Sequence, residues 1–376
     1  MKNKETKVVL VDIFFQHLAQ TGIKTYTDNL LNQIEMYKGD SFTFIVTPSK
    51  ESINKSKMFK GKTARWKNWW FQLRYFSHKL FVLPLLSIWY KADIILSPDI
   101  LSPIWSRGKR VSVIHDAFFW ETPEHYNKLW RKFYLFLLQT SVNLGTEVIT
   151  VSHYAKTTVA KYLLASPITA IPTGLDLEIK DRGKTEQSPL PKPYFLHVGV
   201  MEKRKNLRML IEAFAIFLER READYLLVLV GQRGPRAALD DYDGILSVVK
   251  KHQLEDKVIF TGYLSNKQLS TYYKFAEAYV FPSTNEGFGL PVLEAFSYGL
   301  PVLIGPQGAL QEIGGDAVLV SERFDAKDFA SIMLKISEDP QLSISLKQLG
   351  YQRLSLFTGQ KFLLSLTDYF NRISNE

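Results

Sequence analysis

Short apolar runs alternate with amphipathic stretches along almost the whole chain. Lys7 to Phe15, Ser41 to Thr47, Ala92 to Pro98, Lys109 to Ile114 and Glu147 to Val151 each read as a strand, and so do Tyr194 to Gly199, Leu226 to Val230, Val258 to Ser265 and Ala278 to Phe281. Helix signals fall between them. Thr21 to Leu31 opens a helix, Ser152 stands as an N-cap, Gly299 with Pro301 stops a helix, and Gln360 to Arg372 forms the last one. This alternation predicts α/β architecture with buried parallel strands. At 376 residues the chain is long enough for two such domains, each with its own core. The polar, Pro-bearing run from Asp181 to Pro193 reads as the linker between them.

Composition narrows the picture in two ways. There is no cysteine, so disulfides and thiolate metal sites are excluded, which fits a reducing compartment. The formal charge of +9 is concentrated: residues 52–92 hold nine Lys and Arg and no Asp or Glu, which leaves 38 basic against 38 acidic residues elsewhere. Trp66, Trp69, Trp70 and Leu73 stand at helical spacing inside that segment. A core-facing aromatic stripe, a solvated basic face and an anionic partner all fit it, the last as a membrane surface or an anionic acceptor. No nucleic-acid recognition motif accompanies these residues, so no nucleic acid is expected. The N-terminus lacks a cleavable signal pattern, and the longest apolar run, Leu80 to Tyr90, contains Pro84 and is short of a membrane span. The expectation is a cytoplasmic protein, soluble or peripheral at the inner membrane face.

The most informative stretch runs from Phe281 to Val302 and reads strand, loop, helix, turn, strand. Pro291 sits where a first helical turn tolerates a missing N–H. The loop Asn285-Glu286-Gly287-Phe288-Gly289 has two glycines that let backbone approach a ligand closely. A helix N-terminus at the carboxyl end of a parallel strand suits an anion. Glu286 and Glu294 flank it, and a carboxylate accepts hydrogen bonds from a pair of sugar hydroxyls. A phosphate between hydroxyl-bearing groups describes a nucleotide-sugar.

This string, with Glu286 and Glu294 framing Gly-Phe-Gly-Leu-Pro, resembles the E-x7-E signature of the retaining GT-B glycosyltransferases of family 4. The resemblance implies two Rossmann-like domains facing a central cleft: an N-terminal acceptor domain over residues 1–178, completed by a returning helix at about 358–376, and a nucleotide-sugar domain over 190–357. It implies that Glu286 faces the donor sugar and Glu294 binds the ribose, with Gly287, Phe288, Gly289 and Leu290 shaping the donor loop. His115 and Asp116, ending Val-Ile-His-Asp, resemble the family's strand-end pair, where the His contacts the donor sugar. Arg204 and Lys205, in Arg-Lys-Asn-Leu, match the basic pair set against the diphosphate; Val200 stands where an Arg often follows the glycine Gly199. Gly231 with Arg233, and Gly262 with Tyr263, resemble backbone that frames the base. Gly22 and Ile23 match part of the family's first loop, with Thr21 in place of its first glycine. His197, inside a strand, is expected to be buried and is given no role.

The resemblance further implies transfer of a hexose or deoxyhexose to an acceptor hydroxyl with retention. No metal or other cofactor is expected, because the two cations and a helix N-terminus neutralise the leaving diphosphate. Asp241 and Asp243 spell D-x-D, but no strand precedes them, so they are discounted as ligands. The His-Asp and Arg-Lys-Asn variants are similar to those of mannosyl- and rhamnosyltransferases of surface-polysaccharide assembly. That favours GDP-mannose over UDP- or dTDP-sugars and a glycan or lipid-linked acceptor. A phosphorylase, a nucleotide-sugar epimerase and a non-catalytic glycan-binding partner subunit are the competing readings.

Overall fold

The computed structural model describes residues 6–17, 22–55, 65–163, 167–175, 179–180, 187–221, 224–234 and 238–375, with backbone alone at 54–55 and 65–68. Thr21, Lys57, Lys60, Lys62 and the first six residues of the linker, 181–186, lie outside the described residues. The chain divides into two units, Met1–Asp176 with Thr358–Glu376, and Leu177–Phe357.

The first unit is built on six parallel strands: β1 (Lys7–Asp12), β2 (Phe42–Thr47), β3 (Ile94–Ser97), β4 (Lys109–Ile114), β5 (Thr146–Thr150) and β6 (Ile168–Ala170). They lie in the order β2-β1-β3-β4-β5-β6. The strands are apolar runs because helices cover the sheet. The helix Gly359–Ile373 packs on Gly22–Met36, with Phe362 against Tyr26 and Phe370 against Phe42. A second cluster joins Phe14, Phe71, Tyr75, Ile114, Leu137 and Leu138.

The strand expected to reach Phe15 ends at Asp12. Its carboxylate accepts the N–H of Phe14 at 3.0 Å and turns the chain into a 3-10 helix, Phe14–His17. The 52–92 segment also departs from a simple core stripe. Phe71, Tyr75 and Leu83 are buried, but Trp69, Trp70 and Leu73 are exposed. Ser152 caps its helix as expected, accepting the N–H of Ala155 at 2.9 Å.

The second unit is a doubly wound sheet of β7 (Tyr194–Val198), β8 (Leu226–Val230), β9 (Val258–Gly262), β10 (Ala278–Phe281), β11 (Val302–Ile304) and β12 (Val318–Val320). All are parallel, in the order β12-β11-β10-β7-β8-β9. The order reverses between β7 and β10, and in such a sheet the crevice outside the carboxyl ends at that switch point is where ligands bind. Helices Leu207–Arg221 and Ala326–Glu338 pack together on one face, burying Phe214, Phe217, Phe329 and Met333 with Phe195 and Leu229 of the sheet. Each such side chain contributes about 1.5–3 kcal/mol by leaving water.

Candidate active site

The carboxyl ends of β7 and β10 are drawn together by their following loops. After β7 the chain passes Gly199 and forms a 3-10 turn, Lys203–Lys205. Asn206 then adopts a left-handed conformation at φ 56°, so the helix begins only at Leu207. After β10, the N–H of Thr284 donates to the carbonyl of Arg204 at 2.8 Å and Ser283 Oγ donates to the same oxygen at 3.0 Å. The two loops therefore hold each other in register.

At their junction one carboxylate oxygen collects three donors. Glu286 Oε1 accepts from Arg204 Nη1 at 2.7 Å, Lys205 Nζ at 2.6 Å and Ser283 Oγ at 2.7 Å. Arg204 also donates through Nε to Glu202 at 3.0 Å, and Gln307 Nε2 donates to the Glu286 carbonyl at 3.0 Å. Burial would raise the Glu286 pKa, but the two cations outweigh it and bring it to about 2. For Lys205, burial and the neighbouring Arg204 outweigh Glu286 and lower its pKa to about 8. Its ammonium also lies over the Phe281 ring, 4.6 Å from the centroid.

The helix Leu290–Ser297 starts directly after this cluster. Gly289 precedes it at φ 113°, where a Cβ would also stand 2.6 Å from Leu310 Cδ2. Pro291 occupies its first turn. Phe288 packs inward against the Phe357 ring, 5.8 Å away, so its side chain serves the fold of the loop. Glu294 is reached by Tyr273, whose hydroxyl donates to Oε2 at 3.2 Å. Tyr273 stacks on Tyr298 at 4.9 Å, and Lys180 Nζ donates to the Tyr298 hydroxyl at 3.2 Å. Burial pushes the Glu294 carboxyl above its usual range, partly offset by Tyr273 and Lys180.

Three glycines close the neighbouring strand ends. Gly231, at φ 140°, passes so near Gly199 that a Cβ would collide with the Gly199 carbonyl. Its N–H donates to the Gly262 carbonyl at 3.0 Å. Arg233 pairs with Asp243 and lies over the Tyr242 ring at 4.6 Å, while Tyr263 is exposed. Asp241 accepts from Arg208 Nε at 2.9 Å. Both acids of the D-x-D string are thus ion-paired with arginines, and no group of three metal-binding side chains occurs among the described residues.

His197, to which the sequence assigns no role, is buried as expected. Its Nδ1 donates to the Val280 carbonyl at 2.9 Å, which leaves Nε2 as a buried acceptor without a partner among the described residues. Sequence alone carries no signal for this, because it depends on β7 lying beside β10.

In the first unit, His115 follows β4. Its Nε2 donates to the Pro98 carbonyl at 2.7 Å, and its ring meets Tyr26 edge-on at 4.9 Å. Burial lowers its pKa to about 4, partly offset by the bond to Pro98. The ring is neutral at pH 7, so Nδ1 is an acceptor. Asp116 accepts the N–H of Phe118 at 3.0 Å, and Gly22 begins the helix Gly22–Met36 with open space where a Cβ would stand.

These features define an α/β enzyme of the glycosyltransferase B class. The fold is shared with sucrose-phosphate synthase from Thermosynechococcus elongatus, with a TM-score of 0.75 at 18% identity over 98% of this chain and 99% of that one. It is shared likewise with Anabaena HepE in complex with UDP-glucose, with a TM-score of 0.70 at 17% identity over 97% and 99%. The family described as Glycosyl transferases group 1 matches residues 179–353, and Glycosyltransferase Family 4 matches residues 21–179. The chain belongs to glycosyltransferase family 4. Among curated relatives, the O-antigen chain mannosyltransferase B of Escherichia coli is 28% identical over 240 residues, 61% of this chain. That match spans 62% of the relative's length.

Proposed function

We propose that this protein is a retaining mannosyltransferase that moves mannose from GDP-mannose to a hydroxyl of a glycan or lipid-linked acceptor in polysaccharide assembly. The observation that carries the reading is Glu286 kept ionised beside Arg204 and Lys205 at the β7–β10 switch point. A diphosphate takes the two cations, and Glu286 then turns to the hydroxyls of the sugar. Glu294 receives the ribose, the glycines at 199, 231 and 262 let the base approach backbone, and His115 accepts a hydroxyl of the donor sugar through Nδ1. As the donor bond breaks, charge grows on the diphosphate, and Arg204 and Lys205 stabilise it without a metal. The leaving phosphate itself takes the acceptor proton. The mannosyltransferase relative supports the choice of GDP-mannose.

An acceptor carried on lipid would place the work at the inner face of a membrane. The basic segment 52–92 supports that setting. Among the described residues no helix is long and apolar enough to cross a bilayer. The test begins with isothermal titration of GDP, UDP and dTDP, with GDP expected to bind tightest. Turnover of GDP-mannose with a mannosylated acceptor comes next, and NMR assigns the product anomer. An inverted product, or transfer only from UDP- or dTDP-sugars, overturns the reading.

A further inference from the structure

The first unit carries an apolar face that none of its described residues covers. The helices Arg65–Ser77 and Leu83–Trp89 are joined by a π turn, His78–Val82, and the joining residues keep helical backbone angles. They form one continuous helical run over residues 65–89. Its inner side buries Phe71, Tyr75, His78, Lys79 and Leu83. Its outer side presents Trp69, Leu73, Phe81, Leu85 and Trp89, with Phe81 61% and Trp89 80% exposed.

The stripe continues onto the helix Lys128–Asn143, where Leu129 is 80% and Phe136 65% exposed, with Phe133 exposed between them. The two helices touch: Phe76 and Phe133 rings lie 5.1 Å apart, and Trp130 Nε1 donates to Gln72 at 3.0 Å. Single exposed apolar residues are ordinary, but a continuous ridge of this size marks an interaction surface. The exposed charged residues described on these helices and on the turn after Trp89 are of one sign, while the acids Glu121 and Glu124 precede Lys128. Arg74, Lys91, Lys128 and Lys132 are exposed, and neither residues 52–92 nor 125–146 contain an Asp or Glu.

We propose that this ridge lies in the headgroup region of an anionic lipid bilayer, with its aromatic and aliphatic side chains at the acyl boundary and the basic rim on the phosphates. The charge selects the occupant. A second copy of the chain would bring the same positive rim against itself, and a nucleic acid would leave the apolar ridge wet. The surface deepens the reading of a membrane-borne acceptor and rests on that reading for its purpose. Charge alone would give binding that vanishes in salt, whereas an inserted ridge holds on after the Debye length has shrunk.

The experiment is co-sedimentation of the full chain with phosphatidylcholine vesicles, with and without phosphatidylglycerol, at about 100 mM and about 500 mM salt. Binding to the anionic vesicles is expected, weakened but retained at high salt, with tryptophan fluorescence quenched by brominated lipid. The triple variant Phe81→Ser, Leu85→Ser, Trp89→Ser should lose at least about tenfold in partitioning. The control Ile344→Ser, Leu364→Ser, changing exposed residues on two other helices, should partition as the wild type does, and circular dichroism checks the folding of both. Hydrolysis of soluble GDP-mannose should be equal in all three proteins. Failure of hydrolysis in the wild type with vesicle binding intact counts against the catalytic reading alone. No vesicle binding, equal binding by the ridge variant, or a solution dimer that the ridge variant dissolves overturns the proposal.

Discussion

Lys205 Nζ lies 2.6 Å from Glu286 Oε1, although the two residues stand 81 positions apart. Arg204 is on the same oxygen. The carboxylate therefore occupies the cations that the proposed reading gives to the diphosphate, and on that reading the incoming anion displaces it. Glu286→Gln removes the competing charge while keeping the shape. Its affinity for GDP should rise about three- to tenfold, and its turnover should fall by more than about a hundredfold. Titration calorimetry and initial rates separate the two. Weaker GDP binding together with unchanged turnover would show that Glu286 is part of the nucleotide site alone.

The same pair sets an alkaline limit. Lys205 has its pKa lowered to about 8 by burial and by Arg204, so its charge is lost as pH rises through that value. The profile of kcat/KM for the donor should fall above a limb near 8. In kcat the limb should move upward, because bound diphosphate favours the charged ammonium. Lys205→Arg, which stays charged, should abolish the limb while lowering the plateau.

Glu294 and Tyr273 form a second test. Glu294→Ala should weaken GDP binding by about 1.5–3 kcal/mol, since the ribose hydroxyls lose a charged acceptor. Tyr273→Phe removes only the hydroxyl that orients Oε2, and it should cost about 1 kcal/mol. Both losses should disappear when GDP is replaced by 2′,3′-dideoxy-GDP. A Tyr273→Phe penalty that persists with the dideoxy nucleotide would mean that the residue merely supports the fold.

Much of the fold could be read from the alternation of short apolar runs with capped helices, because parallel strands covered by helices must be apolar. The string from Phe281 to Val302 was legible because its glycines and prolines each mark a backbone conformation. The structure sets Gly289 at φ 113° and Gly299 at φ 64°. The Glu286 cluster was legible only as separate pieces, because its assembly depends on β7 and β10 being neighbours. The exposed ridge was legible only in part: a membrane surface was one of three readings open for residues 52–92. Helical spacing tells which residues share a face, and says nothing of whether another element covers it. Trp69 and Phe71 are two positions apart and have opposite fates.

Activity should survive EDTA. Asp241 and Asp243 are engaged by Arg208 and Arg233, which leaves these carboxylates poorly placed for a cation. Turnover of the enzyme is expected to be unchanged after chelation. A loss restored by manganese or magnesium would return the two acids to the site as ligands.

Lys79 is fully buried at the switch point of the first sheet, between the ends of β1 and β3. Its ammonium lies 2.7 Å from Asp12 and 2.7 Å from Asp99. His78 Nε2 reaches Asp12 at 3.0 Å, and the Tyr75 hydroxyl donates to Asp99 at 2.6 Å. One cation thus holds two carboxylates out of water. Burial raises both, but Lys79 and His78 pull Asp12 well below its usual range, whereas Asp99, facing Asp12 as well, stays above it. Lys79→Met leaves two buried acids facing each other and should cost about 3–5 kcal/mol of stability at pH 7. Asp99→Asn, which keeps the Lys79–Asp12 pair, should cost less. The charges set the sign of the pH dependence. Without Lys79 both carboxyls have raised folded-state values, so they take up protons more readily folded than unfolded, and the gap to the wild type should narrow as pH falls from 7 toward 4. Urea unfolding across that range measures it. A gap that stays constant or widens toward acid would mean that the two carboxylates do not depend on Lys79 for their charge.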